Sequence, residues 1–121
     1  MASSIGERRC RVRVEVRLQD EKRQDGSRLT TSAYLRDDGR LVIAGQDLGP
    51  VTNMVSDDGE YEWSHTYAAA DVSAVVRALG GREGDDVLLV LRERWAGNNR
   101  ASDLMRTLRD SGVPYEVWTW P

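Results

Sequence analysis

Residues 10–18 read CRVRVEVRL, and the alternation is unbroken: Cys10, Val12, Val14, Val16 and Leu18 fall on one side, Arg11, Arg13, Glu15 and Arg17 on the other. Side chains of a strand point to opposite faces in turn, so this is the pattern of a β-strand with one apolar and one wet face. A sheet of such strands has an apolar side that needs a cover. The rest of the chain reads as further strands, followed by helices that supply one.

Working outward, residues 19–27 (QDEKRQDGS) are charged, and Asp25-Gly26 signals a turn, so this is a loop or a long hairpin end. The second strand is expected over Arg28–Arg36, with Leu29, Thr31, Ala33 and Leu35 sharing one face and Thr30, Ser32 and Tyr34 the other. Asp37-Asp38-Gly39 and the β-rich run Leu41–Ala44 complete a hairpin signal. The third strand is expected to end in Gly45-Gln46-Asp47-Leu48-Gly49-Pro50, where two glycines and a proline break the ladder. Residues 51–59 read as a loop, with room for a helical turn at Val51–Val55. Glu60–Ala68 reads as a fourth strand with Tyr61, Trp63, His65 and Tyr67 on one side.

The texture changes at residue 70. Asp71 is placed to cap a helix carrying Val72, Val75, Val76 and Leu79 at helical spacing, ended by Gly80-Gly81. Asp85 is expected to cap a second helix with Leu88, Leu91 and Trp95 inward, although Val87–Leu91 would also suit a buried strand. Gly97-Asn98-Asn99 is a turn. Ser102 is expected to cap a third helix with Leu104, Met105 and Leu108 inside, ending at Gly112, before a last strand over Tyr115–Trp120. Strands followed by helices mean α+β. The expected architecture is an antiparallel meander of about four strands, two or three helices packed on one face, and a C-terminal strand at an edge or in the middle of the sheet.

A chain of 121 residues suits one domain, here 10–121, after a flexible stretch over 1–9. A net charge of -3 argues against a general nucleic-acid coat. The single Cys10 makes no internal disulfide, no apolar leader opens the chain, and no run is long enough to cross a bilayer. A cytoplasmic location is the expectation.

Chemistry has few places to sit. The Gly45–Pro50 segment could aim Gln46 and Asp47 into a pocket, or be an ordinary bulge or loop. The stripe Tyr61, Trp63, His65, Tyr67 could be a stacking wall for a partner, or simply the core side of its strand. His65 is a candidate general base only if a partner stands beside it. One Cys and one His cannot make a zinc set, and the three Asp-Asp pairs read as turn and cap chemistry, so no metal or cofactor is expected. Arg11, Arg13 and Arg17 make a basic face that reads as a solvated one. Trp118 and Trp120, two apart on the last strand, either finish the core or form an exposed apolar patch.

Residues 38–49 (DGRLVIAGQDLG), then Glu60-Tyr-Glu-Trp63 and an Asp-led helix, resemble a family of small uncharacterised actinobacterial proteins. The resemblance covers residues 30–95, with a weaker match at the Tyr115–Trp120 end, and brings no activity, substrate or cofactor. It implies that Gly45, Gln46, Asp47, Gly49, Tyr61, Glu62 and Trp63 form one unit, with the loop after strand three beside strand four.

The expected function is a small non-enzymatic binding or regulatory accessory module that holds a protein partner or a copy of itself. The alternative is a small-ligand binder or enzyme with a polar site where Asp47, Glu62 and His65 meet. Glu62 and His65 point to opposite faces of a regular strand, so that site requires a bulge.

Overall fold

Turn chemistry sets the order of the sheet. In the computed structural model, which describes residues 14–49 and 60–120, β1 (Glu15–Lys22) and β2 (Arg28–Leu35) are joined by a turn over Arg23–Ser27. Asp25 Oδ1 accepts from Ser27 N at 2.9 Å and from Ser27 Oγ at 2.6 Å, and Gly26 takes φ 92°. The Asp38-Gly39 turn repeats the device: Gly39 has φ 91°, and Asp38 Oδ1 accepts from Arg40 N at 3.1 Å. It leads into β3 (Leu41–Leu48), and β4 (Glu60–Tyr67) follows. A 3₁₀ turn over Ala69–Asp71 opens the helical half: α1 (Val72–Ala78), α2 (Val87–Arg94) and α3 (Ala101–Ser111). The chain then returns as β5 (Glu116–Trp120), and the sheet order is β1-β2-β3-β4-β5, antiparallel throughout. This is the expected α+β meander, with the final strand at an edge.

Several boundaries move. Cys10 and Val12 lie outside the described residues, and β1 starts at Glu15 and runs through Lys22, four residues past Leu18. Val14 is 60% exposed because the ladder to β2 begins only at Glu15. Leu18 stands at a bulge between Arg17 and Gln19, which resets the phase of the strand. The ladder of β3 does not break at Gly45; it continues to Leu48 on both sides, with Gly45 between Thr31 and Trp63. The glycine here is filled from outside, by the Trp63 indole. Val87–Leu91 is helical, and Asp86, not Asp85, caps it by accepting from Leu88 N at 2.9 Å. Asp85 instead closes the preceding turn, accepting from Arg82 N at 2.8 Å. Asp71 sits at the α1 N-cap without a side-chain cap bond, and Ser102 lies inside α3, whose N-cap is Arg100. Gly112, at φ 79°, ends α3 as expected.

The core lies between the sheet and the helices. It joins Val16, Leu18, Ala33, Leu41, Ile43 and Tyr67 from the sheet to Val75, Leu79, Val87, Leu91, Leu104 and Leu108 from the helices. α2 lies against β1 and β2, and α1 touches both α2 and α3. The open end of α1 is closed from α2: Arg94 Nη1 donates to Gly80 O at 2.6 Å and Trp95 Nε1 to Leu79 O at 3.1 Å. β5 contributes no core residue.

Candidate functional site

The aromatic stripe of β4 faces the helices. Tyr67 is fully buried, and burial, helped by nearby Tyr115, pushes its hydroxyl up to about 12. That hydroxyl has no hydrogen-bond partner among the described residues. Tyr115 stacks on His65 at 4.6 Å between ring centres and lies 5.3 Å from Tyr67, while Trp63 leans on His65 at 5.1 Å. His65 is half-buried, and that burial lowers its pKa. Tyr61 is also half-buried on this side, opposite Asp47. The stripe is the margin of the core. Tyr115 completes it, and nothing in the periodicity marked it, because it follows Pro114 ahead of β5.

Gln46, Asp47 and Glu62 lie toward one end of the β3–β4 ladder and His65 toward the other. Asp47 pairs with Tyr61 and His65 with Ile43, so they share a face but stand four residues apart along β3. At the rise of a strand that is roughly 13 Å, and the Gly45–Trp63 pair stands between them. Glu62 points to the opposite face, where its Oε1 accepts from Gln46 Nε2 at 3.3 Å. The β3–β4 register is continuous, so no bulge turns Glu62 toward His65. Asp47 is half-buried; desolvation raises its carboxyl pKa and the charge of Arg23 pulls the other way. Among the described residues no group of three His, Cys, Asp or Glu could hold a metal ion. A groove of about 260 Å³ opens between Arg40, Asp71, Tyr115 and Glu116, away from Asp47.

Of the two readings open for the last strand, the structure shows the exposed one. Every residue of β5 is exposed, with Val117 at 60%, Trp118 at 53% and Trp120 at 55%. Trp118 pairs with Ser64 and Trp120 with Glu62, so both indoles lie on the face away from the helices. They do not finish the core, because β5 adds beyond β4 while α2 lies at the other side of the sheet, on β1 and β2.

The two edges of the sheet are built differently. Along the middle of β1 the α2–α3 loop takes outward groups at Leu18 and Asp20: Gly97 N donates to Leu18 O at 2.9 Å, Asn98 Oδ1 accepts from Asp20 N at 2.8 Å, and Asn98 Nδ2 donates to Asp20 O at 3.2 Å. β1 also has a bulge and five charged residues in eight. β5 has a regular register, one charged residue in five, and among the described residues no hydrogen bond outside its ladder to β4. Bulges, charges and covering loops are the usual guards of a strand edge; β1 has all three.

No protein-family model, curated protein or solved structure matches the chain. Among the described residues, no helix is long and apolar enough to cross a membrane.

Proposed function

We propose that the chain is a small non-enzymatic binding module of the cytoplasm, with β5 as its docking strand. The observation that carries this reading is the concentration of exposed apolar surface. Of the five large hydrophobic residues exposed among those described, Val117, Trp118 and Trp120 belong to β5. Exposed patches of this kind mark interaction sites, and tryptophan is enriched at binding hot spots. The open edge beside the indoles offers main-chain hydrogen bonds to an added strand. The resemblance to small actinobacterial proteins fits this reading without assigning an activity. A catalytic or small-ligand role at residues 45–50 and 60–68 is not favoured, since Asp47, Glu62 and His65 do not converge.

The test is site-specific photocross-linking in cells. Benzoylphenylalanine replaces Glu116 or Thr119 on β5, or Arg92 on the exposed side of α2. Defined adducts from positions 116 and 119, with none from 92, support the reading. No adduct from β5, or the same adducts from all three, overturns it.

A further inference from the structure

We infer that the occupant of the β5 edge is a second copy of the same chain, joined through antiparallel pairing of β5 with β5 into a ten-stranded sheet. This rests on the reading of β5 as the docking strand and names its partner. The residues of the strand are self-complementary in one arrangement. A two-fold axis through Trp118 sets Trp118 against Trp118, Val117 against Thr119, and Glu116 against Trp120 of the second copy. The single charge of the strand lies at one end, so the two Glu116 carboxylates are held roughly 14 Å apart. A parallel pairing in register would set carboxylate against carboxylate, which destabilises.

The same arrangement gives all three exposed hydrophobics of the strand a lateral neighbour at once. Trp118 meets its own copy as a cross-strand aromatic pair. Val117, on the helix side of the sheet beside His65, gains an opposite neighbour in Thr119 of the second copy. A half-exposed indole leaves on the order of 100 Å² in water. Two such indoles and Val117 from each copy give at most roughly 600 Å², below the ~1,200 Å² of a standard stable interface even with some backbone added. An interface of this size belongs to the weak, reversible class.

Sedimentation equilibrium of the full chain from about 5 µM to 1 mM tests this. The expected mass rises from 13.6 kDa toward twice that value without passing it. Tryptophan emission shifts to the blue over the same range. W118K, with the lysine that guards natural edges, stays at monomer mass at the top concentration with an unchanged far-UV spectrum. If W118K fails to fold, V117K carries the same test. L89K, altering the exposed Leu89 of α2, dimerises as the wild type does. A wild-type chain that stays monomeric at 1 mM, a mass that passes two copies, or a dimer lost in L89K but kept in W118K each overturns the inference. A monomeric chain whose β5 still cross-links to a different protein overturns the second copy as occupant and leaves β5 as the docking strand.

Discussion

Trp63 lays its indole across the backbone of Gly45, its cross-strand partner, so closely that a Cβ at residue 45 would stand 2.4 Å from ring atoms Cε2 and Cζ2. A glycine inside a strand ordinarily leaves a gap. Here the aromatic ring occupies it, and the half-buried Trp63 packs against the core. Gly45→Ala is expected to lower stability by about 1 to 3 kcal/mol through overpacking. In a Trp63→Leu background the same change should cost much less, and a urea double-mutant cycle measures that coupling. Additive effects would mean that the ring does not occupy the site.

Asn98 acts on the backbone of Asp20 much as a neighbouring strand would. Asn98→Ala removes both hydrogen bonds, and the expected loss is roughly 1 kcal/mol. The sharper readout is local: hydrogen exchange at the Asp20 amide should accelerate at least tenfold, while the Ala33 and Ile43 amides change little. Equal acceleration at all three would show global loosening instead.

How much of this was legible follows from period and punctuation. The alternation of Val16 and Leu18, of Thr31 and Ala33, and the two Asp-Gly turns gave β1 to β3 their faces and order. The helical spacing of Val72, Val75, Val76 and Leu79 gave α1. In the sequence Gly45 reads as a break, because a glycine alone is only a missing side chain; what fills it comes from Trp63, eighteen residues on. Asp85 and Asp86 are equivalent as letters, and only the start of α2 chooses between them. The side of Trp118 and Trp120 depended on where β5 joins the sheet, a long-range choice that periodicity within five residues does not contain.

Tyr67 carries a buried hydroxyl with no partner among the described residues. Tyr67→Phe is expected to leave stability unchanged or raise it by about 1 kcal/mol. It should also remove an alkaline slope. The folded Tyr67 ionises near 12, above its ordinary value of 10.0. As pH rises past 10 the unfolded chain loses this proton first, so the wild type loses roughly 2 to 3 kcal/mol by pH 12. Urea midpoints of the two proteins at pH 9 and 11 check both statements. A destabilised Tyr67→Phe would show that the hydroxyl is bonded.

On the acid side, His65 and Asp47 act in opposite senses. Burial lowers the His65 pKa below 6.5, so as pH falls through 6.5 the unfolded chain binds the proton first and stability drops. His65→Phe keeps an aromatic ring on Tyr115 and should flatten that part of the thermal profile. Asp47 is raised above 3.8, so the folded carboxyl binds its proton first and stability is gained on acidification toward 3.8. Asp47→Asn should therefore raise the melting temperature at pH 7 and remove that gain. Melting curves from pH 3.5 to 8 decide both; an unchanged profile in either variant contradicts the corresponding assignment.

The Asn98 plug on β1 has a consequence for stoichiometry. A sheet with two bare margins can grow without limit, each added molecule offering a fresh terminus, which is the route to fibres. With Gly97 and Asn98 already seated on Leu18 and Asp20, a pair joined through β5 would present two outer flanks each interrupted at its middle from within. A third molecule would find no continuous run of free groups there to extend.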